Sequence, residues 1–272
     1  MKVTFVLAAL LLCVVQAVAA GAPRRIVSTN LCADQYLIAL ADKDQIAALS
    51  EYARDPALSF YAREAQAYPT VRGNAEGILP LKPDLIVGSP SRGLQTRSLL
   101  KRFGLGILDI GADNSFADIV EHTRLIADAI GHPGRGAALI AKMQAQLAQI
   151  PALHAAAPPT AVYYQRQGFV TGPGTLMDEM MRRVGLSNMA IRFADGTLAR
   201  VDLETIVSAQ PDFIIFTNDR RHIRDWGAML LNHPALAAVR SKRIYVPDNL
   251  TVCGGPSYPP ATAALSRALH AN

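Results

Sequence analysis

The chain has 272 residues, of which half are hydrophobic and 18% are charged, and its formal net charge is +5. This composition supplies enough apolar surface for one large domain or two lobes, and it excludes an intrinsically disordered protein. The lysines and arginines form no dense block, so the sequence also excludes the basic footprint of a nucleic-acid-binding protein.

The first twenty residues have the pattern of a secretory signal peptide. Lys2 supplies the initial positive charge, an apolar run covers residues 3–15, and residues 17–19 offer a small-x-small cleavage site. The run is shorter than the roughly 20 apolar residues that a transmembrane helix needs. We therefore expect cleavage near residue 20 and a periplasmic location for the mature protein.

The next hundred residues predict strands and helices in alternation. Strands are expected at residues 25–29, 46–49, 85–88 and 106–110, and helices at residues 34–41, 76–81, 95–103 and 116–130. A strand, a helix and a second strand within about 25 residues form a βαβ unit, which places the two strands in parallel.

A single helix is predicted in the middle of the chain, over residues 133–149. Gly131 precedes it and Pro151 follows it, and its apolar positions recur mainly at three- and four-residue steps. Beyond a proline-containing linker at residues 155–159, the alternation of strands and helices begins again.

The second half repeats the pattern of the first. Strands are expected at residues 160–164, 213–217 and 243–246, helices at residues 176–184, 203–209, 226–231, 234–239 and 260–270, and a glycine-rich loop at residues 168–175. Alternation that occurs twice favours an α/β protein with two lobes, each built on a parallel sheet.

A short block occurs once on each side of the central helix. Glu76 and Glu204 are each followed by six residues, a Pro-Asp pair and a short apolar run. Two equivalent blocks around one helix indicate two similar lobes with a rigid connection between them. The predicted organisation is a signal peptide at 1–20, an N-terminal lobe at 24–131, a backbone helix at 132–152 and a C-terminal lobe at 153–272.

Ligands of open parallel sheets bind beyond the carboxyl ends of the strands, so the loops at those ends should line a cleft between the lobes. These loops are rich in tyrosine and arginine, which bind flat or anionic ligands by stacking and by charge. The candidate ligand-binding residues are Asn30, Tyr52, Arg92, Tyr164, Arg166, Arg220, Arg221 and Trp226. Together with Tyr163, these side chains would suit a large ligand that is partly apolar and partly anionic.

The strand of residues 25–28, the two Glu-x6-Pro-Asp blocks and the helix between them resemble the periplasmic binding proteins of ATP-driven importers for iron-siderophores, haem and cobalamin. The resemblance implies two α/β lobes bridged by one long helix, with the ligand between them. It also implies a monomeric receptor that carries an iron chelate or a cobalamin-type metal complex, has no resident cofactor and catalyses no reaction.

The resemblance further implies a partner, an inner-membrane ABC permease with its ATPase. One glutamate of each lobe would dock on arginines of that permease, and by position these are Glu76 and Glu204. An exposed carboxylate is suited to a charge-assisted contact with arginine.

The mature chain retains two cysteines, Cys32 and Cys253, near its opposite ends. An even pair in an oxidising compartment permits a disulfide. Both residues fall in loops expected at the cleft, so the sequence allows either a disulfide bridge or two unpaired thiols there.

The sequence leaves two alternative functions open. A zinc- or manganese-binding protein of similar architecture would need several converging histidines or carboxylates, and only His222 follows an expected strand end. A secreted α/β enzyme is the second alternative. The sequence contains no Gly-x-Ser-x-Gly, His-Glu-x-x-His or Gly-x-x-x-x-Gly-Lys motif to support it.

Overall fold

The computed structural model describes residues 21–91, 93–193, 196–217, 231, 233–237 and 239–271. The expected signal peptide and most of the helix expected at 226–231 lie outside these ranges. In the described chain, two separate parallel sheets form two lobes, which confirms the predicted fold class.

The N-terminal lobe contains a five-stranded sheet in the order β3-β2-β1-β4-β5, with every pair parallel. Its strands are β1 Ile26–Ser28, β2 Ile46–Ser50, β3 Thr70–Val71, β4 Leu85–Gly88 and β5 Gly106–Asp109, and its helices are α1 Leu31–Leu40, α2 Ala75–Ile78 and α3 Leu94–Arg102. Ile26 packs into one apolar cluster and Val27 into another. The sheet is therefore covered on both faces, as parallel sheets usually are.

Helix α1 begins three residues earlier than the sequence pattern predicted. Asn30 has an extended backbone, with φ of −151°, and its side chain accepts a hydrogen bond from the Ala33 N–H. This is the geometry of an N-cap, and it places residues 31–33, which precede the predicted helix, in its first turn.

Two helices, α4 Phe116–Ala129 and α5 Pro133–Ala148, lie between the lobes. In α4, Ile119 packs into the core of the C-terminal lobe, whereas Ile126 packs into the core of the N-terminal lobe. Helix α5 runs in the opposite direction. Arg135 near its start donates to the Leu40 carbonyl at 2.9 Å, and Leu147 near its end belongs to the C-terminal core. The connection therefore consists of two packed helices, where the sequence suggested a single rod.

The C-terminal lobe contains a four-stranded parallel sheet in the order β11-β10-β6-β8 and a separate antiparallel pair, β7-β9. The strands are β6 Thr160–Tyr163, β7 Phe169–Thr171, β8 Ser187–Asn188, β9 Leu198–Arg200, β10 Phe213–Thr217 and β11 Lys242–Val246. The helices are α6 Leu176–Arg183, α7 Leu203–Ala209, α8 Pro234–Ala237, α9 Asp248–Thr251 and α10 Tyr258–His270. The region that the sequence predicted as a glycine-rich loop thus contains strand β7.

The Pro-Asp pairs have the same structural role in both lobes. The carboxylate of Asp84 accepts from the Arg24 and Arg25 N–H groups at 2.7 and 3.0 Å, just before β1. The carboxylate of Asp212 accepts from the Thr160 N–H and hydroxyl at 2.7 and 2.8 Å, at the start of β6. Each aspartate therefore fixes the beginning of a central strand. These hydrogen bonds to the charged form lower the pKa of Asp212.

Within the described ranges, no helix combines the length and apolar character needed to cross a bilayer.

Candidate functional site

The carboxyl ends of the N-terminal strands line a cavity of about 450 Å³. Its lining residues come from the loops after four of the five strands and from the C-terminal lobe, and they are Thr29, Asn30, Leu31, Cys32, Tyr52, Leu58, Ser89, Pro90, Ser91, Ile110, Gly111, Ala112 and Val252. We call this cavity the N-terminal half of the cleft.

Buried polar contacts fix the loops of this half. Asp34 on α1 is fully buried and accepts hydrogen bonds from the N–H and hydroxyl of Ser50, at 2.9 and 2.5 Å. These bonds hold the end of β2, from which Tyr52 emerges half-exposed. Burial raises the pKa of Asp34 to about 6, although the serine hydrogen bonds oppose the shift. The guanidinium of Arg97 donates to the Ser89 carbonyl and pairs with Asp109, which fixes the loop after β4.

A second cavity, of about 380 Å³, lies at the carboxyl ends of β6 and β10 and forms the C-terminal half of the cleft. It is lined by Asp113, Asn114, Tyr163, Gln165, Thr171, Thr175, Leu176, Met177, Met180, Thr217, Asp248, Thr251 and Val252. The Tyr163 hydroxyl donates to the hydroxyl of Thr217 at 3.3 Å. Burial raises the pKa of Tyr163 to about 12, so its phenol is a neutral hydrogen-bonding group at physiological pH.

The lining has a distinct electrostatic character. Among the described residues of both halves, the charged side chains are those of Asp113 and Asp248, and the polar remainder are hydroxyls and amides. Asp113 accepts from the Tyr36 hydroxyl at 3.0 Å and lies 2.7 Å from Nδ1 of His122. The hydrogen bond to Asp113 raises the pKa of His122. The described lining can therefore accept hydrogen bonds readily but offers little positive charge to an anion.

The two halves meet at a floor where the lobes are covalently joined. Cys32 at the start of α1 and Cys253 after α9 form a disulfide that closes 221 residues of sequence. Beside it, a Cβ at Gly254 would lie 2.4 Å from Oδ2 of Asp113, and one at Gly255 would lie 2.9 Å from the Tyr36 ring. The C-terminal loop thus packs against the N-terminal lobe with no space for side chains at these two glycines.

The structure places the predicted cleft residues unequally. Asn30 and Tyr52 line the N-terminal half, and Asn30 also caps α1. Arg166 lies half-buried in a 3₁₀ turn after β6 and is absent from the described lining of both halves. Arg92, Arg220, Arg221 and Trp226 lie outside the described residues.

Tyr164 is in the core instead of the cleft. It is fully buried in an apolar cluster with Val162 and Ile214, while its neighbour Tyr163 lines the cavity. Successive side chains of a strand point to opposite faces, so only one of two adjacent tyrosines can face the ligand. That alternation was the sequence signal available for choosing between them. Asp113 and Asp248 carried no comparable signal, because each follows a strand end without a motif.

The two predicted docking glutamates are exposed and occupy equivalent places. Each stands in the first turn of a short helix, α2 or α7, that leads to the amino end of the next sheet strand. Helix α2 has four residues and continues into a 3₁₀ turn over Leu79–Leu81, and α7 has seven residues. Glu76 and Glu204 are therefore exposed at matching positions of the two lobes.

In the part of the chain that the structure describes, no group of three or more His, Cys, Asp or Glu side chains is arranged to hold a metal ion. His222, the histidine considered for a zinc or manganese site, lies outside that part.

Several solved structures have the same fold as this chain. A heme-binding protein, RhuT of Roseiflexus sp. RS-1, superimposes with a TM-score of 0.73 at 26% identity, covering 91% of this chain and 98% of that one. The heme-binding protein HutB of Vibrio cholerae gives 0.75 at 21% identity, covering 90% and 98%. The vitamin B12-binding protein BtuF of Vibrio cholerae gives 0.65 at 18% identity, covering 92% and 97%.

Among curated sequences, a cobalamin-binding protein of Halobacterium salinarum is 26% identical over 204 residues, which is 71% of this chain and 53% of the relative. The chain thus spans about half the length of the curated relatives it matches. These relatives and structures are binding proteins, which removes the support for a secreted enzyme. Residues 26–250 match the family described as "Periplasmic binding protein", and the chain belongs to that family.

Proposed function

We propose that this protein is a periplasmic receptor that captures a cobalamin-type corrinoid in its cleft and delivers it to an inner-membrane ABC permease. The observation that carries the choice of ligand is the chemistry of the lining. Neither half of the cleft includes a lysine or arginine among its described residues. Both halves offer hydroxyls and an amide, and the C-terminal half adds two aspartates. Corrin rings carry amide side chains that donate hydrogen bonds to such acceptors, whereas the two carboxylates of haem find no lysine or arginine among the described lining residues.

Two comparisons support a corrinoid. The curated relatives from Halobacterium salinarum are named as cobalamin-binding, and one of the similar folds is named as binding vitamin B12. Ligand sites are usually concave, and the two halves of the cleft are cavities of about 380 and 450 Å³.

Haem is the second candidate, and Tyr52 is the observation that favours it. Its side chain is 50% exposed and lines the N-terminal half of the cleft. A tyrosine oxygen is one of the protein ligands that hold haem iron. The 26% identical structure from Roseiflexus is also named as a heme-binding protein.

Binding of cyanocobalamin and of hemin to the same purified mature protein distinguishes the two candidates. We expect stoichiometric binding of cyanocobalamin by isothermal titration calorimetry, at least tenfold tighter than that of hemin, and little change in Tyr52→Phe. Tight hemin binding with a shifted Soret band that is lost in Tyr52→Phe would overturn the corrinoid proposal in favour of haem.

Docking on the permease is proposed to use Glu76 and Glu204. Both are exposed in the first turn of a short helix at matching positions of the two lobes, and complementary charges guide and orient protein association. We expect Glu76→Ala combined with Glu204→Ala to leave ligand affinity within about twofold of the parent and to abolish uptake of labelled ligand by proteoliposomes that contain the permease and its ATPase.

Glu121→Ala combined with Asp128→Ala is the matched control, because it removes the same charge from exposed positions of α4. This variant should retain uptake. Loss of ligand binding in the Glu76 and Glu204 variant, or unchanged uptake, would contradict the docking role.

A further inference from the structure

Val252 lies where the two halves of the cleft meet. Among the described residues it alone lines both halves, and its side chain is 48% exposed. The residues that follow it are buried, with Cys253 5% exposed. An exposed apolar side chain therefore stands where the two halves of the cleft meet, and both halves also contain hydroxyl and amide groups.

The backbone around Val252 is held on both sides. Its N–H donates to the Asp248 carbonyl at 2.9 Å and closes the turn of α9. On the other side, Cys253 is bonded to Cys32 of the opposite lobe, and Gly254 fits against Asp113 with no space for a Cβ. The position of the Val252 backbone is thus fixed by contacts to both lobes.

Resting on the proposed function, we infer that Val252 is the specificity-determining contact of the cleft floor. Its two methyl groups meet the apolar surface of the bound macrocycle and set how deeply the ring enters between the lobes. The hydroxyl and amide groups of the walls then meet the polar periphery of the ring. The ligand class that fits this arrangement is a macrocycle with an apolar edge or face and hydrogen-bonding substituents.

Substitutions of Val252 separate the effect of side-chain shape from the effect of side-chain polarity. Val252→Ala keeps the floor apolar but removes the two methyls, and a missing methylene in an apolar pocket changes discrimination by about 10- to 200-fold. Val252→Thr keeps the shape and replaces one methyl by a hydroxyl, which is not a conservative change for an apolar contact. Val252→Trp raises the floor and should exclude the ring.

The test is isothermal titration calorimetry of the disulfide-bonded mature protein, with cyanocobalamin and hemin as the probes. For the macrocycle that the parent binds, we expect Val252→Ala and Val252→Thr each to raise Kd about tenfold and Val252→Trp to raise it further. Leu94→Ala is the control, because Leu94 is 64% exposed on α3 and lies outside the described lining of both halves. It should bind like the parent.

Unchanged affinity in the alanine and threonine variants, with the parent binding normally, would overturn the role of Val252 and leave the proposed function intact. Tighter binding by the threonine variant would overturn it as well, because the contact would then be polar. Failure of the parent to bind either macrocycle would overturn the proposed function and this inference together. If Val252→Trp does not fold, as judged by thermal unfolding, the two smaller substitutions decide the outcome.

Discussion

Asp34 is a buried carboxyl group that accepts hydrogen bonds from the N–H and hydroxyl of Ser50, at the end of β2, and a side-chain hydrogen bond of Ser28 also lowers its pKa. A carboxylate in such a site loses most of its hydration, and the serine hydrogen bonds restore only part of it. The group nevertheless has a clear purpose in the fold, since it ties α1 to the strand from which Tyr52 enters the cleft.

The raised pKa of Asp34, about 6 against 3.8, predicts a specific dependence of stability on pH. Between these two values the folded protein binds more protons than the unfolded chain, so this group's contribution to the free energy of unfolding falls as pH rises from about 4 to 6. The fall is on the order of 1–3 kcal/mol, because each pKa unit corresponds to about 1.4 kcal/mol.

Asp34→Asn should remove this contribution. Relative to the parent, the variant should gain stability as pH rises from 4 to 7, measured by urea unfolding at each pH. The control is Asp44→Asn, an exposed change that should keep the pH profile of the parent. A difference between Asp34→Asn and the parent that stays constant across this range would contradict the prediction.

The sequence was ambiguous about which tyrosine at the end of β6 lines the cleft. Tyr163 and Tyr164 are identical in type and adjacent, so composition could not decide which faces the ligand. Alternation along the strand allows only one of them to line the cleft, and the packing of Tyr164 into the core shows that it is Tyr163. Asn30 lies in the lining of the N-terminal half, and its capping of α1 depends on where the helix begins.

At the scale of elements, α4 and α5 pack closely because Gly136 has no side chain. A Cβ at this position would lie 2.6 Å from the Cβ of Ala127 on α4. Gly134, two residues earlier in the same helix, has no neighbouring atom within 4 Å of a Cβ. The two glycines therefore form a matched pair for testing the helix contact.

Gly136→Ala should destabilise the protein by about 1–3 kcal/mol, since the contact between the helices must open. Gly134→Ala should instead stabilise it by about 0.4–1 kcal/mol, because alanine favours the helix and restricts the unfolded chain. Urea unfolding of both variants measures the difference. Equal effects at the two positions would show that Gly136 does not mediate close packing.

The sequence predicted these elements well where local patterns determine them. The Glu-x6-Pro-Asp blocks marked equivalent places in the two lobes, and the structure explains their aspartates, which hold the starts of β1 and β6. The short strands β3 and β8 and the antiparallel pair β7-β9 were missed, because two or three residues give too little alternation to recognise. Helix α4 was predicted as a helix, but its place between the two cores depends on tertiary packing.

At the scale of the whole molecule, several contacts resist relative movement of the lobes. The Glu179 carboxylate of the C-terminal lobe accepts from the Phe116 N–H at the start of α4 and from the Tyr258 hydroxyl. Helices α4 and α5 each contact both cores, α4 through Ile119 and Ile126 and α5 through Leu139, which packs against both. A cleft joined in this way favours selection of a ligand by a preformed shape over closure of one lobe upon the other.

The disulfide is the contact whose contribution can be measured most directly. It closes a loop that contains most of the chain, so its removal frees the unfolded state of a large constraint, and loss of such a bridge commonly costs about 2–5 kcal/mol. Cys32→Ser combined with Cys253→Ser should therefore lower the urea midpoint of unfolding. The parent should fall to the same midpoint in dithiothreitol, while the double variant should not respond to the reductant. If the double variant unfolds at the midpoint of the oxidised parent, the remaining contacts between the lobes hold the cleft floor without help from the covalent bond.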